Sequence, residues 1–138
     1  MRSTNMLRKS LLLPVFILST LIIHAQNTPP SCVITAPHSN AYFEQGTDVN
    51  IRVYASDMGG SYTGGSITKV EFFVDSIKVG ETSTHTSDTY TFLWTEVPTG
   101  SYRITAKATD NDTAVFTSAG VLISVDTTAV KNIGLSAK

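Results

Sequence analysis

The feature that most constrains this chain is a hydrophobic period of two, which recurs from Cys32 to Val125 and never gives way to a helical period. Val49, Ile51, Val53 and Ala55 alternate with Asn50, Arg52, Tyr54 and Ser56, and Val70, Phe72 and Val74 alternate with Lys69, Glu71 and Phe73. Tyr90, Phe92 and Trp94 share one face, as do Tyr102, Ile104, Ala106 and Ala108, while Cys32 with Ile34 and Val121 with Ile123 and Val125 form the outer runs. Successive side chains of a strand point to opposite faces, so each run has one face to bury. The runs are separated by Gly, Pro, Asn, Asp and Ser, and no window carries the i, i+3, i+4, i+7 spacing of a surface helix. The expected class is all-β. About seven short strands, each apolar on one face, bury those faces best as two antiparallel sheets stacked against each other.

The ends of the chain bound its compartment. Arg2, Arg8 and Lys9 precede the apolar run Leu11–Ile23, and Ile23 and Ala25 stand at the spacing of a signal-peptide cleavage site. Residues 1–25 are therefore expected to be a signal peptide, cleaved after Ala25. A membrane anchor is the alternative, but Pro14 interrupts a run much shorter than the ~20 residues that a span needs. Removing the three basic residues of the leader leaves seven Lys and Arg against eleven Asp and Glu, a net of −4 with histidine neutral. Nucleic acid and anionic membrane surfaces are poor partners for such a chain, because both require a basic patch. Cys32 is the single cysteine, so no intrachain disulfide is available, and "TPPSC" lacks the small and aliphatic residues of a lipobox. The expected layout is a short linker over 26–30, one sandwich domain over 31–126 and a linker or tail over 127–138, in a chain that is secreted or held at the cell surface.

Turn chemistry agrees with the strand reading. "VDSIKVG", Val74 to Gly80, has the form of a hairpin with Asp75 and Ser76 at its tip, where Asp-Gly would suit a type I′ turn better. Beyond single turns, the order of several signatures is informative: "ITAPHSNAYFEQGTDVNIRVYASD", then "KVEFFVD", "YTFLW" and "PTGSYRITAKATD". In that order they resemble a bacterial immunoglobulin-like (Big-type) domain of the kind appended to secreted polysaccharide-degrading enzymes and surface proteins, over about Pro30 to Val125. The resemblance implies an Ig-like antiparallel β-sandwich of about seven strands. It places Cys32 at a core position usually filled by valine, and Tyr102 where Ig-like sandwiches carry a tyrosine-corner residue. The chain departs from the pattern after Asp57, where "MGGSYTGGS" replaces a short Asp-x-Asp-Gly turn.

That glycine-rich insertion is the first candidate for chemistry. A phosphate-binding loop needs Gly-Lys-Ser/Thr and a following helix, whereas here no lysine follows the glycines and the next element has strand periodicity. It is expected to be a long inter-strand loop that could present Tyr62 to a ligand. His38 and His85 have no metal-ligand spacing and are expected in exposed loops. Asp57 ends one strand and Asp110, Asn111 and Asp112 end another; in an Ig-like topology these ends share a pole. Asp57, Asp110 and Asp112 could there converge on calcium, or each could cap its own loop in an Asx turn. Tyr62 and Phe73 are the candidates for stacking on a sugar.

No catalytic constellation and no cofactor are expected. The leading reading is a non-catalytic exported Ig-like module, a spacer or interaction domain whose partners are neighbouring domains or extracellular proteins. A carbohydrate-binding module accessory to polysaccharide degradation is the alternative. Both readings fit a stand-alone domain or a part of a longer protein.

Overall fold

The computed structural model describes residues 27–59 and 64–127. Ten strands are present: β1 (Ser31–Ala36), β2 (Ala41–Glu44), β3 (Val49–Ser56), β4 (Ile67–Val74), β5 (Ile77–Thr82), β6 (His85–Thr86), β7 (Thr89–Trp94), β8 (Gly100–Asp110), β9 (Val115–Thr117) and β10 (Val121–Asp126). One sheet has the order β1-β3-β7-β6, and the other β2-β10-β8-β4-β5 with β9 also paired to β8. The two stack as an all-β sandwich. No helix among the described residues is long and apolar enough to cross a membrane.

The strand count exceeds the expected seven because three strands are too short to show a period. β2 offers only Ala41 and Phe43 to the core, β6 has two residues, and all three residues of β9 are exposed. β2 also corrects the expectation of purely antiparallel sheets, since it pairs parallel to β10. The length of β8 makes room for β9. Its first half pairs with β10 and its second half with β9, and Ser118 occupies the break between them. There the Ser118 hydroxyl accepts from the Ala106 amide at 3.0 Å, and the Ser118 amide donates to the Ala106 carbonyl at 2.8 Å.

The period-two residues meet between the sheets. Val49, Ile51, Val53 and Ala55 of β3 are wholly buried, and the first three lie in register with Trp94, Phe92 and Tyr90 of β7. From the other sheet come Val70, Phe72 and Val74 of β4 and Ile104, Ala106 and Ala108 of β8. Phe72 stacks on Phe92 with centroids 5.3 Å apart, so the contact between sheets is aromatic at its centre. Each large apolar side chain buried in this way contributes about 1.5–3 kcal/mol. Cys32 lies in the same layer, and burial pushes its thiol up to about 11, which leaves it inert at neutral pH.

Two local features explain sequence signatures. Asp75 and Ser76 both take positive φ, 46° and 70°, the geometry of a two-residue type I′ hairpin. The Tyr102 hydroxyl donates to the Pro98 carbonyl at 3.0 Å, and the ring meets Trp94 edge-on at 5.0 Å. A Cβ at position 100 would lie 2.9 Å from that hydroxyl, so the glycine two residues before the tyrosine is a packing requirement.

Candidate functional site

The chain comes in and goes out at opposite ends of β8. Asn27 lies beside Asp110, the last residue of that strand, whereas β10 runs out past Gly100, its first. The N-terminal pole, around Asp110, carries most of the residues that the sequence nominated.

Asp110 organises this pole because the turn after β8 leaves backbone amides free and its carboxylate is placed to collect them. One of its oxygens accepts from the amides of Asp112 at 2.9 Å and Ala114 at 2.8 Å, an Asx turn with an added bond. The other accepts from the Asn27 side-chain amide at 2.9 Å. Next to it, Asn111 and Ser66 exchange two bonds: the Ser66 amide donates to Asn111 Oδ1, and the Asn111 amide to the Ser66 carbonyl. Asp57 Oδ1 accepts from the Gly59 amide at 3.1 Å, and Gly65 packs so closely on the same carboxylate that a Cβ there would overlap it. Thr28 closes the circuit by donating its amide and its hydroxyl to the Gly59 carbonyl at 3.1 and 2.7 Å. Asn27, Asp110, Asn111, Ser66, Gly65, Asp57, Gly59 and Thr28 thus form a ring that ties the incoming linker to loops from both sheets.

Of the predicted calcium ligands, the ring includes Asp57 and Asp110. Asp112 contributes its backbone amide while its side chain is exposed, and among the described residues no three His, Cys, Asp or Glu side chains group closely enough to hold a metal. Asp57 and Asp110 form capping turns as expected, and among the described residues the Asp112 side chain forms none. Beside the ring, Asp57, Ser66, His85, Asp88 and Tyr90 line a cleft of about 280 Å³, where exposed His85 lies over Tyr90 at 4.9 Å.

The other nominated residues lie elsewhere. Tyr62 is outside the described residues, although the glycine-rich segment is flanked by β3 and β4 and so links two strands of different sheets. Phe73 is half-buried on the outer face of the larger sheet, with the Lys107 ammonium 5.4 Å from its ring centre. On that face Glu71 is buried beneath three lysines, with Nζ of Lys78 and of Lys107 at 2.8 Å and that of Lys69 at 3.4 Å. Hydrogen bonds from Lys107 and Lys78 hold the Glu71 carboxyl at about 2, well below the usual range.

Two participants were missed. Asn27 stands in what looks like a linker, and nothing in "QNTPPS" marks it as a capping residue. Glu71 carried a usable signal, because Lys69 and Glu71 share a strand face and Lys78 and Lys107 fall on neighbouring strands.

Residues 30–106 match the bacterial Ig domain family. The chain belongs to that family. Among solved structures, this bacterial Ig domain is similar to the fibronectin(III)-like modules of Clostridium thermocellum CbhA, with a TM-score of 0.60 and 22% identity over 72% of this chain and 100% of that one. It is also similar to the CARDB domain of PF1109 from Pyrococcus furiosus, a structure in complex with di-metal ions, with a TM-score of 0.50 and 19% identity over 71% of this chain and 93% of that one. At such identities the likeness is one of fold. No curated protein matches the chain. As an Ig-like domain it is consistent with a module of multidomain proteins; its families are typically non-catalytic and commonly occur in extracellular proteins.

Proposed function

We propose that this bacterial Ig domain is exported and acts as a non-catalytic spacer and interaction module of a cell-surface or secreted protein, with neighbouring domains or extracellular proteins as its partners. The observation that carries this reading is that the chain comes in beside Asp110 and leaves past Gly100. Those residues bound a strand of 11 residues, which at ~3.3 Å per residue separates them by roughly 33 Å. A domain threaded from pole to pole adds its full length to whatever precedes and follows it. One whose ends meet adds almost none. The basic, apolar leader and the single buried cysteine support export of a domain that depends on core packing alone.

The experiment is small-angle scattering of tandem copies joined through their own linkers. Each added copy should lengthen the particle by roughly one strand length, about 30–40 Å; a maximum dimension that stays nearly constant would exclude the spacer role. Polysaccharide recognition through Tyr62 and Phe73 is the second reading, and pull-down on insoluble chitin, cellulose and xylan separates it. Saturable binding lost in Tyr62→Ala, with cooperative melting retained, would favour recognition over spacing. The exposed aromatics Tyr42, Tyr54 and Phe116 are on β2, β3 and β9 and are the next positions to substitute in that assay.

A further inference from the structure

Asp110 is 1% exposed, and among the described residues no lysine, arginine or histidine forms an ion pair with it. Removing a carboxylate from water without a counter-charge costs several kcal/mol, which amide hydrogen bonds offset only in part. In the same ring two further side-chain oxygens are buried and accept from no donor among the described residues: Oδ1 of Asn27 and Oδ2 of Asp57. The ring therefore collects an uncompensated buried carboxylate, a second carboxylate with one idle oxygen, and an idle amide oxygen. All three are hard acceptors. A water, with two hydrogens, could donate to two of them; a cation coordinated by all three would neutralise the charge as well.

We propose that the N-terminal pole binds a calcium ion through Asn27 Oδ1, Asp57 Oδ2 and the remaining lone pair of Asp110 Oδ2. The Asn27 amide fits this role in its present orientation, because its nitrogen already donates to Asp110 and its oxygen is left for the ion. Calcium takes six to eight oxygens in flexible geometry, so three protein oxygens completed by water suffice; magnesium demands a nearly ideal octahedron and gives up its water reluctantly. The all-oxygen donor set selects against softer metals. Asp112, expected from sequence to be a ligand, is replaced by Asn27, and the difference has a consequence. With Asn27 as a ligand, the ion holds the incoming linker to loops of both sheets, so it fixes the direction in which any preceding segment points. That consequence, but not the binding itself, rests on the spacer reading.

The test is calorimetric titration of the purified chain with calcium chloride, together with thermal melting in chelator, in millimolar calcium and in millimolar magnesium. Binding should saturate with Kd of about 10⁻⁴–10⁻³ M, the range of extracellular modules. At roughly tenfold excess over Kd the melting temperature should rise by about 5–10 °C. Asn27→Ala and Asp57→Asn should each abolish the rise. Asn27→Ala lies at the edge of the fold, so in chelator it should melt cooperatively within a few degrees of the parent chain. Identical melting of the parent chain in chelator and calcium would overturn the proposal, as would a calcium response that survives both substitutions. An equal response to magnesium would overturn the choice of calcium. The spacer reading fails separately, through the scattering dimension, which removal of calcium from a single domain leaves unchanged.

Discussion

Glu71 and Asp110 are carboxylates buried to nearly the same degree, 7% and 1% exposed, and both belong to the larger sheet. They lie on adjacent paired strands, yet they are stabilised by different chemistry. Glu71 sits mid-strand, where its neighbours' backbone groups are all used in the sheet; only side chains can reach it, and three lysines do. Asp110 ends its strand, where the chain turns and leaves amides free; it collects two of these and one side-chain amide. Position in the strand thus decides whether a buried acid is met by charge or by backbone. Mid-strand acids become titratable and salt-sensitive, while strand-end acids become turn-forming.

The largest effect should come from removing the acid that the backbone depends on. Asp110→Ala strips partners from the amides of Asp112 and Ala114 and from the Asn27 side chain, and should destabilise by about 2–4 kcal/mol in chemical denaturation. Asp110→Asn keeps the shape and one acceptor oxygen, and should lose less. If both substitutions cost under ~0.5 kcal/mol, the turn after β8 is held by something other than this carboxylate and the contrast with Glu71 collapses.

Glu71 should show its effect through pH. Its folded value of about 2 lies below the ordinary 4.5, so its stabilisation is complete above 4.5. As the pH falls from 4.5 towards about 2, the unfolded chain takes up the proton first and the contribution is lost. The lysines are themselves a third or more exposed, so solvent screening reduces the contribution to about 1–2 kcal/mol. Melting followed across that window should be steeper in the parent chain than in Glu71→Gln, and molar salt should narrow the gap. Among the lysines, Lys107→Ala should cost the most, about 1 kcal/mol, since Lys107 also lies over the Phe73 ring. Lys69→Ala, which loses only a 3.4 Å contact, should cost about half of that or less.

The same contrast explains what could be read from the sequence. Strand periodicity identified both sheets and nearly all of the core, because Val49, Ile51 and Val53, or Val70, Phe72 and Val74, are buried by the same alternation that makes them strands. Short elements left no period to detect: β2 is positioned by β10, far along the chain, and β9, with three exposed residues, only continues the turn that ends β8. The pole was half legible. "YASD" and "KATDND" announce turns with free amides, and Asp57 and Asp110 do cap them, but which third residue joins them depends on how the chain folds back. Asn27 is 83 residues from Asp110 and has no local feature that points there. Glu71 was partly legible: Lys69 shares its strand face, but a charged residue on an outer face is normally solvated, and its burial also needs Lys78 of β5 and Lys107 of β8.

A comparably small effect is expected at the opposite end of β4, where a third aspartate uses the strand-end chemistry while exposed. Asp75 Oδ1 accepts from the Arg103 amide at 2.9 Å, and the Asp75 amide donates to the Arg103 carbonyl at the same distance. Here the strain falls on the next residue, Ser76, held at φ 70° where an L side chain is disfavoured. Ser76→Gly removes that strain but increases the freedom of the unfolded chain, so the net stabilisation should be at most about 1 kcal/mol, seen as a small rise in melting temperature. Asp75→Ala leaves the Arg103 amide without its acceptor but in reach of water, and should cost less than Asp110→Ala. If instead the two aspartates prove equal, burial adds nothing to a strand-end carboxylate, and the charge left uncompensated at Asp110 would no longer call for a cation.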